Sequence, residues 1–490
     1  MSYLMIDALA SEHPSKPVII HNSTSIQFSQ FANAIGTTAD FIATRDLTEG
    51  HTAVIVIDDR LDCWTAILAL QSLGLNTICV HRVEVLKILA IKNIAAFVTT
   101  EKELSQYQVK FGALAGSRTV RIPNPEYNGN PPTSMTRVSK VAGGHILYTS
   151  GTTGYYKKLL ISAGQQEKRD TERIQQMGLD GETYFHCISY GQWTSVGYLL
   201  PLSTWRAGGC VIIDQRPEWP HYFLNSGVTR SVLLPDYLNQ LLKVVAERGN
   251  KTPLENLILY ASGGFISRQV AEQVLADLTQ NLAVSYGSTE VAIASLESMV
   301  NDLDNLHWLA PTHIRRVEIV DINDSICPVD QEGQLRIKLE EQDCESYLDD
   351  AEVSEIMFRN GCFYPGDIAV RRADGRIRIL GRNVDVVNFR GQKFPASPFE
   401  NYVQDFLGVS NACLFSGVSE GDQAEVIVVI ECEQWPDKRR MNNLSRKFQE
   451  FDQIRFAKMH PFPRTQTGME KIDREKLRNL VFAGKPQKTA

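Results

Sequence analysis

Between Tyr148 and Lys158 the chain reads YTSGTTGYYKK, after a short apolar approach, His145-Ile146-Leu147. The hydroxyls of Thr149, Ser150, Thr152 and Thr153 are interleaved with Gly151 and Gly154. Glycine permits positive φ and lets the backbone come close to a ligand. Backbone N–H groups and hydroxyls in such a loop can cradle an anion, most often phosphate. Lys157 then puts a point charge within reach of that anion. A hydroxyl-rich surface linker would have the same composition, so the run gains meaning only from what accompanies it. The G-x-x-x-x-G-K-[S/T] spacing is absent, and no G-x-G-x-x-G follows a strand-like run.

A second constellation is Val284-Ser285-Tyr286-Gly287-Ser288-Thr289-Glu290. Tyr286 offers a π face on which a planar ring could stack. Gly287 lets the backbone approach, Thr289 can hydrogen-bond phosphate, and Glu290 is a hard oxygen ligand suited to Mg²⁺. A strand ending in a capped turn would read similarly, but not beside the first loop.

Together these motifs resemble the adenylate-forming superfamily of acyl-CoA and aryl-CoA synthetases, nonribosomal peptide adenylation domains and luciferases. The first loop matches T-S-G-T-T-G-x-P-K-G except that Tyr156 replaces Pro and Lys158 replaces Gly; the lysine is kept as Lys157. Tyr286–Glu290 matches aromatic-G-x-T-E without departure. Ala261-Ser262-Gly263-Gly264 is similar to the family's glycine turn beside the nucleotide. Phe363-Tyr364-Pro365-Gly366-Asp367 resembles Y-x-T-G-D, which implies that Asp367 accepts the ribose hydroxyls, and Leu380-Gly381-Arg382 implies a ribose or phosphate contact for Arg382. The hinge pattern follows with Val384 where its first Asp is usual; Asp385, Asn388 and Gly391 are kept. Pro463–Arg474 resembles P-x-T-x-x-G-K-x-x-R with Met469 and Glu470 inserted, and alignment on Lys-Ile-Asp-Arg makes Lys471 the catalytic lysine.

The resemblance implies ATP-dependent activation of a small carboxylic acid to an acyl-adenylate, with release of pyrophosphate. Lys471, Glu290 and Thr289 would be catalytic. Thr149, Ser150, Gly151, Thr152, Thr153, Gly154, Lys157, Gly263, Tyr286, Gly287, Asp367 and Arg382 would bind ATP, and Glu290 would hold Mg²⁺. A thiol, from CoA or from the phosphopantetheine of an acyl or peptidyl carrier protein, would then take the acyl group. Thr183–Ile213 would form one wall of the acyl pocket through Tyr190, Gly191 and Trp193, with Tyr184 and Phe185 as further aromatic candidates. His186 reads as a core histidine. Amino-acid-activating members usually carry Phe-Asp where this chain has Tyr190-Gly191, and no acid occurs between Thr183 and Ile213. A buried, unpaired α-ammonium is costly, so an acid without an α-amine is expected. The alternatives are an amino acid activated for a carrier protein, or a degenerate member that binds nucleotide or acyl-adenylate without turnover.

The elements that must position these residues alternate. Strand-like Pro17–His21, Thr52–Ile57, Asn76–Val80 and Ile94–Val98 are interleaved with helical Phe28–Ala43 and Asp62–Leu75, which implies mainly parallel sheets with helices on their faces. Ligands in such sheets bind at the carboxyl ends of strands. Residues 311–382 read as short β segments, a barrel-like section. The expected fold class is therefore α/β: a large multi-subdomain AMP-binding region over 1–382 and a small mobile α+β domain over 383–490. Length alone suggests two to four domains. A net charge of −7 on 490 residues, with 43% apolar and 22% charged residues, argues against nucleic-acid binding. Nine scattered cysteines without a C-x-x-C pair suit reduced thiols in a cytoplasmic protein. Neither a signal peptide nor a membrane span is expected.

Overall fold

A computed structural model describes residues 2–80, 90–103, 118–128, 138–150, 156–248, 253–292, 294–382, 385–390, 392–418, 424–448, 451, 454–465 and 472–483. Two large sheets dominate. One runs, edge to edge, through Thr119–Ile122, Ile94–Thr100, Thr52–Ile55, Asn76–Cys79, His145–Ser150 and Tyr156–Ile161. Its pairs are parallel up to His145–Ser150, and Tyr156–Ile161 closes the edge antiparallel. The other has nine strands: Ala310–Pro311, Leu296–Met299, Asn281–Tyr286, Ile258–Ser262, Arg230–Leu233, Tyr184–His186, Cys210–Ile213, Pro17–His21 and Thr24–Gln27. From Asn281–Tyr286 to Pro17–His21 every pair is parallel.

Helices Phe28–Ala43 and Arg60–Ser72 lie in a core that draws residues from both sheets, among them Val18, Ile55 and Val211, together with the helical Trp64 and Trp205. Asp59 caps the second helix by accepting from the N–H groups of Leu61 and Asp62. Its neighbour Arg60 is buried, and its guanidinium donates to the carbonyls of Cys187 (2.8 Å) and Ile188 (2.9 Å). Those bonds fix the segment leading to Tyr190.

The β segments between 317 and 382 form an antiparallel six-stranded sheet. Among the described residues it does not close into a barrel. Beyond it come the hairpin Val386–Phe389/Gln392–Pro395 and a three-stranded sheet of Ala412–Val418, Ala424–Glu431 and Ile454–Met459. These pack around their own apolar cluster, including Val387, Val403, Val428 and Leu444.

Candidate functional site

Six elements frame one cavity: β1 (His145–Ser150), β2 (Tyr156–Ile161), α1 (Ala163–Met177), β3 (Ile258–Ser262), β4 (Asn281–Tyr286) and β5 (Leu296–Met299). The cavity measures about 300 Å³. Of the residues singled out in the sequence, Thr149, Lys157, Tyr190, Gly263, Tyr286, Gly287, Thr289, Glu290, Asp367 and Arg382 all line it. They come from positions as far apart as Thr149 and Arg382, so the chain's topology gathers them. Ser150 ends β1, and Gly151, Thr152, Thr153 and Gly154 lie outside the described residues, as do Val384, Gly391, Met469, Glu470 and Lys471.

Glu290 is buried, 5% exposed. Its Oε1 accepts from the Tyr347 hydroxyl at 2.7 Å, and the Ser288 hydroxyl donates to Oε2. A carboxylate has about four lone-pair sites, so a cation can share the group with both hydroxyls. Among the described residues no cluster of three or more His, Cys, Asp or Glu side chains could hold a metal. The donor set instead fits Mg²⁺ held by one carboxylate together with phosphate oxygens and water. Lys157 extends from β2 over the Tyr347 ring, 5.0 Å from its centroid. Burial pushes its pKa down; Glu290 opposes this, Arg382 adds to it and Asp350 opposes it. Asp367 receives the Tyr286 hydroxyl and stands 3.8 Å from Arg382. Burial, and next the Asp367 charge, drive the Tyr286 hydroxyl well above the usual phenol range.

Gly263 has φ +78°, and a Cβ there would sit 2.9 Å from the Tyr190 hydroxyl. That hydroxyl donates to the Ser262 carbonyl at 3.1 Å. Both departures in the first loop have structural roles. The Tyr156 ring meets Tyr148 edge-on at 5.3 Å. Lys158 is buried and donates to the Ala90 carbonyl (3.2 Å) and to Asp349 (3.3 Å), tying β2 to a distant turn.

The expected acyl wall is only partly realised. Tyr190 faces the cavity, whereas Trp193 and Gly191 are not among the residues lining it. The Trp193 indole lies over Gly191, where a Cβ would be 2.2 Å from Cζ2. Tyr184 and Phe185 point into core clusters. His186 is fully buried against Trp219 and Phe223, and burial pushes it down to about 3.

Several site residues escaped the sequence reading. Arg169 on α1 donates to the carbonyls of Thr289 (3.2 Å) and Glu290 (3.3 Å), and Arg173 to that of Ala292 (2.7 Å). Asp343 accepts from the Ala292 N–H at 2.8 Å. These bonds hold the Thr289–Ala292 backbone in place. The signal was present: Gln166, Arg169, Asp170, Arg173 and Met177 recur at helical spacing and are the buried face of α1. Nothing local pointed to Tyr347 or Glu297.

A protein-family model described as AMP-binding enzyme matches residues 6–341. A plipastatin synthase of Bacillus subtilis is 24% identical over 301 residues, 58% of this chain and 8% of that protein. A human mitochondrial acyl-coenzyme A synthetase is 22% identical over 299 residues, 58% of this chain and 51% of its own. Both matches thus span less than two thirds of the relative's length. The o-succinylbenzoate CoA synthetase of Bacillus subtilis, solved with its acyl-adenylate intermediate, superposes with a TM-score of 0.81 at 17% identity, covering 99% of each chain. The same enzyme with ATP and magnesium ion gives 0.80 at 17% identity, over 97% of this chain and 99% of that one. At such identity the likeness establishes the fold.

Proposed function

The chain belongs to the AMP-binding enzyme family, and on that footing we propose that it activates a carboxylic acid with ATP to an acyl-adenylate and then forms a thioester. The observation that supports this most directly is the meeting of Lys157, Glu290, Tyr286, Asp367 and Arg382 in one cavity beside an open volume. In the proposed reaction a carboxylate oxygen attacks the α-phosphorus of ATP, and the bond to the bridging oxygen of pyrophosphate breaks. Two anions converge in that step, so catalysis must be mainly electrostatic. Mg²⁺ bound at Glu290 would neutralise phosphate charge and fix its orientation. Lys157, already close to Glu290, adds a second positive charge from a partly desolvated site. Tyr286 presents its ring to adenine, and its hydroxyl holds Asp367 for the ribose. Arg169 and Arg173 fix the backbone on which Thr289 and Glu290 stand.

The thiol of CoA or of a carrier-protein phosphopantetheine then attacks the acyl carbon, the bond to the phosphate oxygen breaks, and AMP leaves. Lys471 is the proposed adenylation lysine, on a C-terminal unit that rotates between the half-reactions. No helix of the described residues is long and apolar enough to cross a membrane.

ATP–pyrophosphate exchange with fatty, aryl and amino acids tests the reading. Exchange with at least one class of acid, lost without Mg²⁺, is expected. No exchange with any acid, while ATP still binds, would instead identify a binding protein without turnover.

A further inference from the structure

The cavity has a polar wall that the nucleotide motifs leave unused. Ser262 on β3 and Ser285 on β4 are register partners, and Glu297 on β5 lies opposite Ser285. Register partners share one face of a sheet, and all three line the cavity. Across from them α1 presents Arg173, Gln176 and Met177.

The two charged groups here differ in their partners. Arg173 is committed: its Nη2 donates to the Ala292 carbonyl at 2.7 Å and stands 3.4 Å from the Ser195 hydroxyl, and its Nη1 faces Asp170 at 3.8 Å. Burial pushes that guanidinium down to about 9, and its Nη1 is closed off from solvent without a hydrogen-bond partner, so a second carboxylate on the substrate would not reach it directly. Glu297 accepts from the Gln176 amide at 3.2 Å, and among the described residues no cation lies at ion-pair distance from it. Glu290, Arg382 and Asp350 act on Lys157 at the phosphate side, and none of these four contributes to the environment of Glu297. A largely buried carboxylate with one amide partner is short of donors. Val196, Leu200 and Val232 line the cavity as well, so a ligand can cross apolar surface to reach it.

We propose that Glu297 selects the substrate, a carboxylic acid carrying an amine remote from the carboxylate that reacts. This rests on the adenylation reading and specifies its substrate class. The ammonium would pair with Glu297 in a partly desolvated wall, with the Ser262 and Ser285 row beside it. Gly191, in place of the usual aspartate, leaves no acid in the Thr183–Ile213 wall for an α-ammonium. Burial raises the Glu297 carboxyl to about 7, and an ammonium beside it would draw that value back down by favouring the carboxylate.

The test uses two matched series: ε-aminocaproate, caproate and adipate; and para-aminomethylbenzoate, para-toluate and terephthalate. Norleucine and phenylalanine serve as α-amino acids. In pyrophosphate exchange the ω-amine of at least one series should exceed its methyl counterpart in kcat/KM by about tenfold or more. Glu297→Gln should erase that advantage. A methyl or carboxylate member preferred in both series, an amine advantage that survives in Glu297→Gln, or a preference for α-amino acids would overturn the proposal. If no acid supports exchange, adenylation itself fails and the pocket is judged by binding. Calorimetric titration with a non-hydrolysable ATP analogue should then show the amine bound about tenfold tighter than the methyl acid in the wild type only. Equal binding, or none, overturns the inference.

Discussion

Two glutamates in one cavity have opposite surroundings, and this sets what each can do. Glu290 is met by two hydroxyls, with Lys157 nearby. Glu290→Gln keeps an acceptor for Tyr347 but loses the charge proposed to hold Mg²⁺. Adenylation should fall by on the order of 10² or more while the fold is retained. Wild-type pyrophosphate release would remove Glu290 from the metal role. Glu297 is desolvated without a cation, and its carboxyl rises from 4.5 to about 7. Between those values the folded chain holds more protons than the unfolded one, so stability falls as pH rises through the window. The full shift corresponds to at most about 3 kcal/mol. Glu297→Gln should remove this slope, leaving the variant more stable than wild type at pH above the window. Urea unfolding on both sides of the window checks it, and an unchanged slope would place the carboxylate in water.

At the scale of elements, α1 and the Tyr190–Leu199 segment shape the site. A helix whose buried face carries Gln166, Arg169, Asp170 and Arg173 is unusual, since buried charges must be paired. Arg169 and Arg173 bond to the Thr289–Ala292 backbone, and Asp170 accepts from the Ser203 hydroxyl (2.8 Å) and from Arg206 (3.1 Å), which explains why charged residues occupy the inward face. The Gly191 turn is shaped by packing. Thr194 caps the short helix Ser195–Leu199, its hydroxyl accepting from the Gly197 N–H at 3.1 Å and donating to the Gly191 carbonyl at 2.7 Å. Gly191→Ala should cost roughly 1–3 kcal/mol by overpacking against Trp193, measured by thermal unfolding. Gly191→Asp, which restores the usual Phe-Asp pattern at its acidic position, should not confer activation of α-amino acids unless Trp193 is also reduced. Exchange with phenylalanine in the single variant would show that the indole yields.

Across the whole molecule, the contacts between the proposed C-terminal unit and the larger region include polar ones. Arg464 spans Asp236 (3.4 Å) and Glu431 (2.8 Å), and Asp405 accepts from the Arg268 N–H at 2.8 Å. The part-exposed Arg464–Asp236 pair is worth about 0–1 kcal/mol, whereas the Arg464–Glu431 pair lies within the C-terminal unit. Lys471→Ala should lower adenylation by on the order of 10²–10³. Acyl transfer from a supplied acyl-adenylate to the thiol should persist. If both half-reactions fall alike, the lysine is not specific to adenylation; if neither falls, the Met469-Glu470 insertion shifts the role to Lys476.

The sequence alone determined the alternating strands and helices, because burial on both faces of a parallel sheet leaves short apolar runs and a helix leaves a stripe. It also picked out residues that line the cavity, because the Ser/Thr/Gly run and the Tyr-Gly-x-Thr-Glu turn are each contiguous in the chain. Only the tertiary structure decided what those turns rest on. The struts from Arg169 and Arg173, the Tyr347 hydroxyl on Glu290, and the Trp193 ring over Gly191 are contacts across space. So is the position of Glu297, whose facing partner Gln176 lies on a helix far away in sequence. No local pattern encodes such a pair, because register and helix placement are set only when the sheets pack.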